Sequence, residues 1–560
     1  MDSQTACAWT VCALIRQRHA HSFTPVRRHQ RTKRRPETDE AFRLTYSTMY
    51  EAKPAVHEGL DAALAEVRSN LRAEHAMLIA GSDVRSDGQF ESRSPIDADL
   101  ILGRFQEGTP DDADAAVRAA KTAWPQWART PWPRRVDILL RAAALLEASA
   151  FHLAAVTILE VGKSRLEALS EVQETVDLIR WYCRETQDNH GFVRDLPKDP
   201  VNGFVSRNRA LLKPYGVWAV IAPFNFPFAL AGGPAAAALL AGNCVVYKAS
   251  SATPWSGWLL AQCLREAGVP PGAFNYLTGT AARVGDPLVR HPELCGITFN
   301  GSHDSGINVM RAFANHRYPR PCIAGMGGKN AVIVSRNADL ERAAIGIVRS
   351  AFGLQGQNGS ACSRVLVDRV VTDQLVDRII ANVRELKVGD PCLRATAMGP
   401  VINRSAYERY LRLSAELAAE GQVLCGGRTL NEGELVRGYF CEPTVAQLRP
   451  GHPLWQQELF LPIVLLTPVG TLEEAMESAN GVDYGLTAGF YGAKEEIDWF
   501  LENIEAGVAY CNRPQGATTG AWPGYQPLGG WKASASTGKA SGSSYYLQQY
   551  MREQSQTVVD

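Results

Sequence analysis

From about Leu211 onward the sequence alternates short apolar, β-rich runs with alanine-rich helical segments, and this constrains the fold more than any other feature. GVWAVIAP (216–223), NCVVYK (243–248), FNYLTG (274–279) and CGITFNGS (295–302) read as strands. Helices are predicted around Gly233–Leu240 and Pro254–Ala267. Strands recurring at this pitch with helices between them form βαβ units on a parallel sheet, because a parallel pair needs a long crossover. A second alternation follows Asn330: NAVIVS, a long helix over Leu340–Gln357, RVLVD, a helix to Leu386, then VLCGG and YFCEPTVAQL. The expected class is therefore α/β, with two consecutive α/β domains.

Upstream, residues 51–75, 111–153 and 164–186 are predicted to be helices decorating the first domain. The segment DDADAAVRAAKTAWPQW opens with acidic caps and carries apolar residues at three-to-four spacing. A polar, proline-containing stretch, Asp195–Arg209, precedes the first alternation, and the closing segment SYYLQQYMREQSQTVVD can form a strand.

Size and charge bound the function. At 560 residues the chain exceeds a single core. Lys+Arg and Asp+Glu are 58 each, which argues against a nucleic-acid partner. Eight of the basic residues and only Asp2 among the acids fall within residues 1–36, a tail of +7 that leaves −7 for the rest. This tail, to residue 42, is expected to be disordered and dispensable ahead of Met49. The 12 cysteines include no CxxC pair, so no metal site is expected, and free thiols suit a reducing cytoplasm. No apolar run reaches the roughly 18 residues of a membrane span. Cys7–Ile15 is apolar, but its basic residues follow it, unlike a signal peptide. A cytoplasmic location is expected; if the Arg-rich leader is a transit peptide, the mitochondrial matrix is the alternative.

Two local features suggest a nucleotide. Gly279-x5-Gly285 follows an apolar strand and opens a helix, but its spacing is not GxGxxG, and a loop glycine followed by a helix-start glycine explains it better. Lys248 ends a strand where ligands of open α/β sheets sit, but in isolation a solvated strand-end lysine is the simpler reading.

Taken together, APFNFP (222–227), VVYKAS (245–250), FNGSHDSG (299–306), MGGKN (326–330), SACSR (360–364), ELFLPIV (458–464) and PLGGWK (527–532) are far more specific. From about Phe42 to its C-terminus the chain resembles the aldehyde dehydrogenase superfamily. RYPRPCIA (317–324), FGLQGQ (352–357) and TGA (519–521) extend the likeness to the 1-pyrroline-5-carboxylate (L-glutamate γ-semialdehyde) dehydrogenases. The resemblance implies a Rossmann-like NAD(P)-binding domain (43–192 and 212–324), a catalytic α/β domain (325–535) and a small β element for homo-oligomerisation (193–211 and 538–560). It implies NAD or NADP held by Ile221, Pro223, Lys248, Gly279, Ser302 and Glu458. Asn225 falls at the family's oxyanion-hole amide. Ser360, Gly520 and Ala521 fall where the substrate's α-carboxylate is gripped. The implied partner is a small aldehyde or cyclic imine of proline metabolism.

Two positions depart from the pattern. The family phrase Gln-Gly-Gln-Lys-Cys-Ser-Ala-Cys-Ser-Arg is here Gln355-Gly356-Gln357-Asn358-Gly359-Ser360-Ala361-Cys362-Ser363-Arg364. The nucleophile position is Gly359, and the preceding lysine is Asn358. The glutamate general base of Glu-Met-Gly-Gly-Lys-Asn is here Gly325. Glycine can neither form the thiohemiacetal nor activate water. If the stretch is helical, Cys362 stands about 4.5–5 Å away, too far to substitute. Smaller departures are Ala249 after Lys248, Leu461 in LFLP, and Leu528. The expectation is a dehydrogenase scaffold that is inactive or altered: a nucleotide-binding, oligomerising pseudoenzyme, or an enzyme with thiol-independent chemistry.

Overall fold

The computed structural model describes residues 44–49, 52–200, 203–514 and 522–559. The basic tail, Gly520, Ala521 and the TGA motif lie outside the described residues.

Two seven-stranded sheets form the body. The first runs Cys322–Gly325, Leu294–Asn300, Val217–Ile221, Cys244–Lys248, Phe274–Leu277, Met77–Ile79 and Ser82–Val84. Its first five strands are parallel, as the alternation requires, and the last two add antiparallel at the edge. The second runs Gln422–Cys425, Thr444–Gln447, Ile463–Val469, Cys362–Asp368, Asn330–Val334, Thr487–Tyr491 and Val508–Cys511. Buried β-branched runs such as VWAVI and CVVYK need both faces covered. Helices such as Pro110–Arg129, Ala229–Ala241 and Pro254–Glu266 supply that cover. Met551–Val559 pairs antiparallel with Ser206–Pro214, which pairs with Val193–Leu196, forming a separate three-stranded sheet.

The N-terminal region departs from the helical expectation. The helix predicted over 51–75 spans Pro54–Ser69, and Ala73–His75 is a strand parallel to Ile101–Gln106. Between them Arg72 takes a left-handed φ of 68° while its N–H donates to Leu102 O, so a tertiary contact ends the helix. The single stretch 111–153 is three helices, Pro110–Arg129, Trp132–Ala148 and Ala150–Val161. The first is held by a Thr109–Asp112 capping box. The helix expected to Gln357 stops at Phe352. Among the described residues no single helix is long and apolar enough to cross a membrane.

Tyr46, Met49 and Trp522 form a small buried cluster, and Tyr46 Oη donates to Glu174 at 2.8 Å. Met49 is therefore too late a starting point. A truncated chain beginning at Met49 is expected to melt roughly 2–6 °C below one beginning at Leu44, because a buried carboxylate loses its donor. Differential scanning calorimetry of the two truncations checks this, and equal Tm values would show that Tyr46 contributes nothing.

Candidate functional site

The site is a cavity of about 1330 Å3 between the carboxyl ends of the two sheets. Its floor is built by the loop that follows Val217–Ile221. Pro223 and Pro227 keep this loop out of the helix, which begins at Ala229. The loop is clamped from behind. Glu171 Oε1 accepts from the N–H groups of Phe228 (2.8 Å) and Ala229 (3.3 Å), and Glu171 Oε2 lies 2.5 Å from Lys163 Nζ. The same ammonium sits 3.9 Å over the Phe226 ring. Asn225 is thereby presented to the cavity, with Nδ2 donating to Gln357 O at 3.0 Å.

Ile221, Pro223, Lys248, Ser302, Gly325, Gly359, Ser360 and Glu458 line the same cavity. Lys248, at the end of its strand, is buried, and burial lowers its ammonium to about 8 against the opposing charge of Glu107. Glu458 Oε1 accepts from Gly328 N–H at 2.9 Å, while burial pushes its carboxyl up to about 7. A Cβ on Gly327, whose φ is +77°, would collide with the Glu458 carboxylate, so glycine there lets the two approach. Gly279 does not line the cavity; Ala281 and Gly285 do. Gly279 instead makes a tight turn, with φ +128° and room for no Cβ beside Val284 and Gly108.

The approach to position 359 is unusual backbone. Leu354 and Gln355, neither a glycine, have φ of 50° and 56°, and Gly356 follows at 65°. Glu167 Oε1 accepts Leu354 N–H, and Gln355 Nε2 donates to Gly162 O, so tertiary bonds hold the strained turn. Beyond it Asn330 Nδ2 donates to Gly359 O (2.7 Å) and Ala361 O (2.8 Å). Cys362 is not one helical turn away: it opens the strand Cys362–Asp368 and faces the core. Burial raises its thiol to about 12, and it does not line the cavity.

The two glycines differ in what surrounds them, and neither has a left-handed φ. A Cβ at 359 would stand 3.4 Å from Gly327 Cα and 3.5 Å from Leu486 Cδ2, ordinary contacts. A Cβ at 325 would stand 2.5 Å from Asn300 Oδ1. Asn300 and Gly325 are register partners on adjacent parallel strands, so their side chains share one face.

Three residues escaped the sequence reading. Asn300 lay in a recognised motif, but its crowding of Gly325 depends on strand register. Tyr46 and Glu174, 128 positions apart, meet on the cavity wall. Burial raises Glu174 to about 7, opposed by the Tyr46 hydroxyl. Its one sequence signal was Glu167, Glu171 and Glu174 at four- and three-residue spacing on one helix face.

Two α/β sheets meeting at a polar cavity on their carboxyl ends, lined by Asn225, Lys248 and Glu458, put the cavity where open α/β sheets bind their ligands. The chain belongs to the aldehyde dehydrogenase family, which it matches over residues 83–556. It is 37% identical over 500 residues to a 1-pyrroline-5-carboxylate dehydrogenase of Geobacillus sp. (strain WCH70), covering 88% of this chain and 95% of that one. A counterpart from Anoxybacillus flavithermus is 37% identical over 511 residues, covering 90% and 96%. Among solved structures, a Thermus 1-pyrroline-5-carboxylate dehydrogenase with bound NAD superposes with a TM-score of 0.86 at 32% identity, covering 93% of this chain and all of that one.

The geometry sets a stability test. Gly359→Cys is expected to shift Tm by no more than about 2 °C, because its Cβ has room. Gly325→Glu is expected to destabilise by about 1–3 kcal/mol through overpacking against Asn300, and Asn300→Ala in the same chain is expected to recover most of this. Additive effects of Gly325→Glu and Asn300→Ala in denaturant melts would show that the two positions do not compete.

Proposed function

We propose that this chain is an NAD(P)-binding member of the family, related to the enzymes that oxidise L-glutamate γ-semialdehyde, in which oxidation through a thioester has been lost. One observation supports this reading: Asn225, Lys248, Ser302 and Glu458 line the same cavity as Gly325 and Gly359, two glycines that supply neither nucleophile nor base. The donor set suits the cofactor. Lys248 is a buried cation at a strand end, Ala281 and Gly285 of the turn after the next strand line the cavity, and Glu458 offers a carboxylate to a ribose. When bound, NAD(P) would supply a hydride acceptor. Asn225 would donate to a carbonyl oxygen, and Lys248 would anchor the adenosine end. No group at position 359 forms the adduct that must expel hydride, and the loss costs on the order of 10⁴–10⁶ in rate.

A second reading rests on Glu174. Its carboxyl, raised by burial to about 7 beside the Tyr46 hydroxyl, would give a proton to an imine nitrogen, and a bound NAD(P)H would supply the hydride-donor chemistry that reduction of an imine needs. The reading predicts NAD(P)H consumption with 1-pyrroline-5-carboxylate that Glu174→Gln abolishes. We also propose homo-oligomerisation through the three-stranded sheet, where Val193, Leu196, Val558 and Val559 are exposed.

Purified protein is expected to bind NAD+ and to make no NADH from glutamate semialdehyde. Gly359→Cys is expected to give one burst of NADH. Steady turnover is expected only when Gly325→Glu is combined with Asn300→Ala. Thiol-sensitive steady turnover by the unaltered protein would overturn the reading.

Cofactor affinity should also depend on pH. Lys248 loses its proton as pH rises through about 8, and a 2′-phosphate favours the charged form. Affinity for NADP+ is therefore expected to be highest below pH 8 and to fall by up to about tenfold per pH unit above it. Fluorescence titrations from pH 6.5 to 9.5 should show this slope, and Lys248→Met should flatten it. An equal slope in the variant would remove Lys248 from the cofactor site.

A further inference from the structure

Among the described residues Lys163, Lys248 and Lys329 are the buried lysines, and they differ in what meets the ammonium. Lys163 is paired with Glu171. Lys329 Nζ has no hydrogen-bond partner, but Lys329 does not line the cavity. Lys248 does line it, is 7% exposed, and makes no hydrogen bond or ion pair through Nζ with any described residue. Its register partners on the two adjacent strands are apolar, Ile221 on one side and Leu277 on the other. Glu107 is the charge that acts on it, and that carboxylate is engaged elsewhere. Glu107 Oε1 accepts from Thr280 N–H at 3.2 Å and lies 4.0 Å from Arg283 Nε. An ammonium short of both water and an acceptor gives way to the neutral amine, and burial accordingly lowers Lys248 to about 8. A neutral amine facing a cavity presents a lone pair, the property that makes desolvated lysines nucleophiles toward carbonyl carbon.

We propose, building on the cofactor-binding reading, that Lys248 is a carbonyl-capture site: without a nucleotide, its amine condenses with a small aldehyde to a Schiff base that excludes the cofactor. Nζ attacks the carbonyl carbon to give a carbinolamine. The C–O bond then breaks, a C=N bond forms, and both Nζ protons leave with the former carbonyl oxygen as water. No electrons are gained or lost, and no co-reactant is required. An aldehyde suits the site better than a ketone, because so little of Lys248 is exposed and an aldehyde carries only hydrogen on one side of the carbonyl carbon. The residue assigned to the adenosine end of the cofactor is then the one that an aldehyde blocks, so the two ligands compete for it.

The probe is butyraldehyde with sodium cyanoborohydride, which reduces a Schiff base to a stable amine. The full chain is treated without nucleotide at about pH 7.5, and the modified peptides are followed by mass spectrometry. Lys248 is expected to be alkylated at least about tenfold faster than exposed lysines such as Lys198 and Lys494, because far more of it is the free amine. Lys248→Met is expected to remove that fast site and leave the others reacting as before. Saturating NAD+ is expected to slow capture at Lys248 by at least about tenfold without protecting Lys198 or Lys494. Protein alkylated at Lys248 is expected to bind NAD+ at least about tenfold more weakly in isothermal titrations. The proposal is overturned if Lys248 in the unaltered chain reacts no faster than the exposed lysines, or if the alkylated protein binds NAD+ with unchanged affinity. Fast capture at Lys248 by a protein that binds no NAD+ would support the capture site and remove the cofactor reading alone.

Discussion

The site depends on a buried ion pair that touches no ligand. Lys163 and Glu171 are almost wholly removed from solvent, and such a pair is stable only when its remaining hydrogen-bonding capacity is met. Here it is met by function-bearing backbone: Glu171 takes the first N–H groups of the helix Ala229–Ala241, and Lys163 packs on Phe226. Glu160 does the same for the helix Pro254–Glu266, accepting from Trp255 N–H at 2.7 Å and Ser256 N–H at 3.0 Å. Neither helix brings its own cap, since Phe228 and Thr253 make no side-chain cap bond. Buried glutamates of the helical layer therefore fix both helix starts, satisfying orphan N–H groups and complementing the helix dipole. Removing either partner of the Lys163–Glu171 pair would strand a buried charge and release the loop that carries Asn225.

The loops around positions 325 and 359 likewise keep their shape without help from side chains at those positions. The loop at 357–361 is held by Asn330, whose Nδ2 serves two carbonyls and whose Oδ1 accepts from Thr487 N–H. The left-handed turn before it is held by Glu167 and by the carboxamide of Gln355. None of these contacts passes through the side chains at 325 or 359. The framework is over-determined from outside, so its geometry does not depend on a side chain at either position.

Strands such as Val217–Ile221, Cys244–Lys248 and Asn330–Val334 were legible because their apolar runs are bounded by glycine, proline and polar turns, whereas Ile463–Val469, Thr487–Tyr491 and Val508–Cys511 were not read as strands. The families of contacts at the cavity were legible through motifs: Asn225, Lys248, Ser302 and Glu458 all reach it. What escaped was set by tertiary contact. The helix after Pro54 stops where Arg72 binds Leu102 O, and the one after Leu340 stops where Leu354 meets Glu167. Periodicity carries no trace of either event. Gly279 was read as a cofactor glycine, yet its φ and the closeness of Gly108 explain it as a turn. Tyr46 was assigned to a dispensable leader, and its role exists only because Glu174 comes to it through the fold. The competition between Asn300 and Gly325 is visible only once strand register is known.

The departures share a physical direction. Where the family places a lysine, a thiol and a carboxylate, this chain has Asn358, Gly359 and Gly325, so three titratable groups are replaced by none. Titration persists at the periphery instead: Lys248 near 8, and Glu458 and Glu174 near 7, each displaced toward neutrality by burial. Activating a nucleophile needs a charge that changes at the reacting atom. Recognising an ion needs fixed donors at the centre and compensating charge around it. On the function proposed above, a centre without titratable groups inside a rim of buried, near-neutral ionisable groups fits the second requirement better than the first. In this cavity pH acts through the rim, by setting the charge on Lys248, Glu458 and Glu174, while positions 358, 359 and 325 carry nothing that titrates.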